Sequence, residues 1–76
     1  MENLMGIHRL RPGEGGVVRK LLSEGAIRRR LLDIGLIEGT WVECLGKSPA
    51  GDPSAYWIRG AVIAIRAEDG QKILVE

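Results

Sequence analysis

TWVECLGK (Thr40–Lys47), SPAGDP (Ser48–Pro53) and AYWIRG (Ala55–Gly60) follow one another almost without interruption, and this stretch decides the fold. Both flanking segments alternate apolar and polar residues with period two, the pattern of a half-buried strand. In the first, Val42 and Cys44 share one face, with Trp41 and Glu43 on the other. In the second, Tyr56 and Ile58 oppose Trp57 and Arg59. The intervening residues are turn formers, too many for a two-residue hairpin. If Val42 lies opposite Ile58, Trp41 faces Arg59 and Trp57 sits diagonally across from it.

Further strands are predicted on both sides. Val62–Arg66 and Lys72–Glu76 alternate in the same way. VVRKLL (Val17–Leu22) begins with two β-branched residues, although Arg19 and Lys20 fall on opposite faces and interrupt its alternation. Arg11-Pro12-Gly13-Glu14-Gly15-Gly16 ahead of it reads as a turn. AIRRRLLDI (Ala26–Ile34) is the one predicted helix. On a helical wheel Ile27, Leu31 and Ile34 fall within about 60° of one another, a stripe able to dock on a core. Arg29 and Asp33, at i and i+4, are placed to pair, and Gly35 supplies the left-handed residue that commonly closes a helix. Leu32 projects about 140° away from Ile27 and is expected to stay partly outside. The sum is mainly β: a small, strongly bent antiparallel barrel of about five strands, with one helix inserted after the first strand and glycines such as Gly46 and Gly60 at its bends.

Size and composition narrow the function. Seventy-six residues make one domain, 1–76, with a thin core and little room for a catalytic shell. The longest apolar run is Ala61–Ile65, far short of a membrane span, and Met1–Leu10 lacks the apolar stretch of a secretory signal. Cys44 is the single cysteine, which excludes an internal disulfide and a cysteine-rich zinc module. A reduced, cytoplasmic protein is expected. Net charge is +1 but unevenly spread. From Arg9 to Arg30 seven bases face two acids; from Leu31 onward four bases face seven acids. Such a separation can steer a protein toward an acidic surface at low salt.

Three segments, Arg30-Leu31-Leu32-Asp33-Ile34-Gly35-Leu36-Ile37-Glu38-Gly39-Thr40, Ser48-Pro49-Ala50-Gly51-Asp52-Pro53 and Arg59-Gly60-Ala61-Val62-Ile63-Ala64-Ile65-Arg66, resemble the FeoA family. Their order and gaps match that family's pattern, and the likeness extends from about Arg11 to Val75. The resemblance implies an SH3-like barrel and a cytosolic accessory role in ferrous iron uptake. The partner it implies is FeoB, a membrane transporter with a cytosolic GTP-binding domain. The same domain type is similar to the carboxyl-terminal domain of DtxR-type iron-dependent repressors, so a metal-responsive regulatory module is the alternative; with no winged-helix segment ahead of it, a complete repressor is not expected. Ala50 stands where the family often has a larger apolar residue, which blunts the tip of that loop. Gly70 stands where alanine is common, which argues against helix there.

Candidate chemistry points toward binding. Cys44, on the face of Val42, is expected inside the barrel and not as an activated thiolate. His8 has no visible partner, Ser23 and Ser48 lack the setting of a nucleophile, and Gly13-Glu14-Gly15-Gly16 lacks the lysine and helix of a phosphate loop. No enzyme is expected. A divalent ion such as Fe2+ would have His8, Glu14, Glu43, Asp52, Glu68 and Asp69 as candidate ligands. These lie scattered without paired spacing, so weak or intersubunit binding is the form left open. Arg28, Arg29 and Arg30 spread over about 200° of a helix and cannot follow one phosphate track, so nucleic acid is not a predicted partner; Arg30 instead flanks the stripe, covering the core edge and pairing with a carboxylate. A protein interface remains: Leu32 and Leu36 (with Ile37) as an exposed apolar spot, Pro49 and Asp52 on a rigid loop tip, and Trp41 and Trp57 on an outward sheet face. The two rings could equally shield the thin core, the helix or a self-associated copy, and Asp52 could serve only the turn by accepting backbone N–H groups.

Overall fold

Period-two alternation becomes pairing where it is strongest. The computed structural model describes residues 3–76. Its elements are β1 (Met5–Gly6), a 3-10 turn (Ile7–Arg9), β2 (Gly15–Leu21), α1 (Gly25–Asp33), β3 (Trp41–Lys47), β4 (Ser54–Ile58), β5 (Ala61–Ile65), α2 (Ala67–Gly70) and β6 (Ile73–Val75). The strands form a six-stranded sheet in the order β1-β6-β2-β3-β4-β5 with every pairing antiparallel. The mainly β, bent antiparallel architecture is as expected. The strand count and the helix position are corrected. Two-residue β1 carries too few residues to show alternation, so α1 follows the second strand and not the first.

β2 makes the bend. Gly15–Val17 pair with β3, while Val18–Leu21 pair with β6, and the register of that second ladder shifts at Arg19. This bulge explains the broken alternation of VVRKLL: Val18 is buried while Arg19 and Lys20 are both exposed, which a regular strand forbids. A second shift at Leu45, beside Gly46, bends β3 against β4. At Gly15 the absence of a side chain is required, because the Trp41 ring occupies the place of a Cβ.

The core is Ile7, Leu10, Val18, Leu31, Leu36, Val42, Cys44, Tyr56, Ile58, Ile65, Ile73 and Val75. The inward reading of Val42, Cys44, Tyr56 and Ile58 holds for all four. The Tyr56 hydroxyl, deep in the barrel, donates to the Ile7 carbonyl at 3.1 Å and so ties β4 to the amino-terminal turn.

α1 docks differently from its wheel. Leu31 is buried and Ile34 packs against the core, but Ile27 is 42% exposed. The helix is anchored at its carboxyl end, so its first turn overhangs the sheet. Gly35 (φ +103) donates to the Leu32 carbonyl at 3.0 Å, and Leu36 donates to that of Leu31 at 3.0 Å, respectively the five-to-two and six-to-one bonds of a Schellman closure. The expected Arg29–Asp33 pair and an Arg30–carboxylate pair are not formed; the ion pair present among the described residues is Arg19–Glu76 at 3.5 Å. Gly70, expected to oppose helix, does not prevent it. Ala67–Gly70 does close one helical turn, and Gly70 is buried against Ile7 and His8, where a Cβ would come within 3.2 Å of Ile7 Cγ1.

Candidate protein interface

The loop that follows α1 builds the first half of the site. After Leu36 turns inward, Ile37 emerges 45% exposed beside Leu32, which is 37% exposed. Together with Leu21, and with Lys20, Arg28 and Glu38 at the rim, they line a groove of about 360 Å³ whose floor includes Val18 and Leu36. Leu36 is therefore not part of an exposed spot. It is fully buried, because the helix closure sends the residue after the glycine back beneath Leu31. Arg28 is held in place at the rim, donating to the Leu21 carbonyl at 2.8 Å.

Trp41 and Trp57 build the second half. Val42 pairs with Ile58 and Glu43 with Trp57, the register anticipated from the alternation. The two indoles, 50% and 43% exposed, border a shallow depression with Gly39, Thr40 and Arg59. Arg59, at φ +49 in the two-residue turn with Gly60, lays its side-chain stem over Gly35. Its charge thus stands beside the carboxyl end of α1, where the helix dipole favours a cation. Thr40 donates its hydroxyl to the Gly35 carbonyl at 2.8 Å. Residues 37–41 run between groove and depression, so the two share a border.

Pro49 and Asp52 lie elsewhere. β3 separates them from Trp41 by its full length, about 20 Å for seven extended residues. Pro49 is exposed. Asp52 serves a structural bond: its Oδ1 accepts the Ala67 N–H at 2.9 Å, which fastens the loop to the first residue of α2. The expected contact residues therefore occupy two surfaces and the core, not one patch. Val62, 62% exposed and directly beside Trp57, was given no place in the expected interface, because Ala61–Ile65 holds no polar residue to mark which face of the strand points outward.

The metal candidates are not brought together. Glu14 accepts the Arg11 N–H at 2.7 Å, Asp52 serves α2, Glu43 lies on the outer sheet face beside Trp57, and His8 packs against Gly6 and Gly70. Among the described residues no three His, Cys, Asp or Glu side chains gather to hold an ion, and the donor set does not fit one. No described helix is long and apolar enough to cross a membrane.

Comparison with known proteins completes the picture. The family model for the FeoA domain matches residues 5–76. A Porphyromonas gingivalis Fe(2+) transport protein A/Fe(2+) transporter FeoB fusion protein is 31% identical over 72 residues; the match covers 95% of this chain and only 8% of the fusion. The structure of an FeoA-like protein from Clostridium acetobutylicum superimposes with a TM-score of 0.89 at 32% identity, covering all of this chain and 88% of that one. Stenotrophomonas maltophilia FeoA, solved with zinc and described as a prokaryotic SH3 domain protein, gives 0.84 at 25% identity over 95% of this chain and 89% of that one. The SH3-like expectation is met.

Proposed function

Because the chain belongs to the FeoA domain family, associated with ferrous iron transport, we propose that it is a non-enzymatic, cytosolic binding module that docks on the GTP-binding portion of an FeoB-type transporter. The observation that carries this reading is the paired surface of Leu32, Ile37, Trp41 and Trp57. Four of the exposed large apolar side chains of this small domain gather there, and aromatic anchors with Lys20 and Arg28 at the rim suit a protein partner. The joining of both proteins in one polypeptide in P. gingivalis supports the choice of partner. Pro49, at the far end of β3, is assigned no contact with that surface.

Titration of labelled protein with a purified FeoB GTP-binding domain tests the proposal. Amide shifts at Leu32 and Ile37 and at both indole N–H groups are expected, and Leu32→Glu should weaken binding by about tenfold or more. Absence of any perturbation at micromolar protein, with either GTP analogue or GDP bound, refutes docking on that domain.

A further inference from the structure

We propose that β5 is the pairing edge of a twofold dimer of this chain. The sheet has two open ends. One, β1, is only two residues long and runs straight into a 3-10 turn, a short edge of the kind that natural sheets use to discourage pairing. The other, β5, is Ala61–Ile65, five residues paired in unbroken register with β4. It holds no charge, no proline and no bulge, so it carries none of the usual safeguards of an exposed edge.

The register says which groups are free. The two-residue turn Arg59-Gly60 makes Ile58–Ala61 a hydrogen-bonded pair, and Tyr56–Ile63 and Ser54–Ile65 follow at alternate positions. The N–H and C=O groups of Val62 and Ala64 must then point away from β4. Among the described residues no hydrogen bond reaches any of the four. α1 does not cover them, since it stands off β5 across a cleft of about 360 Å³ lined by Ile27, Ile34, Ile63 and Ala64, with Arg30, Arg66 and Asp69 also on its walls.

A second copy satisfies this edge, because the free groups of Val62 and Ala64 flank Ile63 and can pair with their own counterparts about a twofold axis there. Antiparallel pairing about a twofold axis at Ile63 sets Val62 opposite Ala64 of the copy and satisfies all four groups in each chain. Ile63 meets its own counterpart on the inner face, where the two clefts adjoin and the exposed Ile27 and the half-buried Ile34 lie. On the outer face Val62 gains cover. Charge is mixed at the ends of the pairing: the same register brings Arg59 level with Ala67 of the copy, between Arg66 and Glu68, and sets Arg66 level with Gly60.

Sedimentation equilibrium from micromolar to millimolar protein, with amide shifts recorded over the same range, tests the dimer. Expected is a concentration-dependent rise toward twice the 8.3 kDa chain mass, with shifts centred on Val62 and Ala64. Ala64→Pro removes an outward N–H and leaves the β4 ladder intact; losing two such bonds per dimer should weaken association by about tenfold or more. Val62→Lys, which places a charge on the edge, should do the same. Unchanged Val42 and Tyr56 amide shifts establish that each variant is folded. A native chain that stays monomeric at millimolar concentration, a dimer indifferent to both substitutions, or shifts centred on Trp41 and Trp57 would each overturn the proposal. The FeoB reading stands or falls separately, by the Leu32→Glu titration.

Discussion

Leu32 and Leu36 are chemically identical, four residues apart, and fall on opposite sides of a boundary set by Gly35. Leu36 is fully buried and Leu32 is 37% exposed. Truncating Leu36 to alanine should therefore cost about 2–5 kcal/mol, as for other buried leucines, with the denaturation midpoint falling accordingly. Leu32→Ala should shift stability by about 0.5 kcal/mol or less, as surface changes do, and show itself in partner binding. Tyr56 gives the second prediction at this scale. Burial raises its pKa above the ordinary 10.0, an effect partly opposed by the neighbouring Ser54 side chain. The folded state thus keeps the phenolic proton to higher pH than the unfolded chain, so stability is intact below pH 10.0 and declines as pH rises past it. Tyr56→Phe should flatten that alkaline decline in chemical denaturation series, while costing about 1 kcal/mol at neutral pH through the orphaned Ile7 carbonyl.

At the scale of elements, α1 is a helix whose position is decided by its end. The closure at Gly35 fastens Leu31 and Leu36 into the core and leaves Ile27 overhanging. Gly35→Ala meets two obstacles, a φ of +103 and the stem of Arg59 in the place of the new Cβ. A loss of about 1–2 kcal/mol is expected, and thermal melting with amide spectra should show it reaching both Leu31 and the β4–β5 turn. The link between the loop and α2 is weaker. Asp52→Ala removes the acceptor for the Ala67 N–H at a cost of about 1 kcal/mol, and faster hydrogen exchange at Ala67 is the sign to measure.

For the whole molecule, charge is distributed by segment. The chain from Arg9 to Arg30 carries an excess of five positive charges and the chain from Leu31 onward an excess of three negative ones. Lys20 and Arg28 of the basic segment sit at the rim of the Leu32 groove. Association with an acidic partner surface should slow as salt is raised, with the dissociation rate nearly unchanged; stopped-flow measurements at several ionic strengths separate the two.

How much of this was legible in the sequence depends on the range of the interaction concerned. Alternation along TWVECLGK and AYWIRG identified the paired strands, their inward residues and the outward tryptophans, because facing is a local property of an extended chain. A glycine at position 35 marked the helix end for the same reason: left-handed backbone is a local demand. The tertiary structure alone decided that Ile27 overhangs, that Leu36 is floor and not surface, that β2 divides between two ladders and bulges at Arg19, and that β5 is left as an open edge. Each of these depends on where the end of one element meets another distant in sequence, and no periodicity within a segment records that meeting.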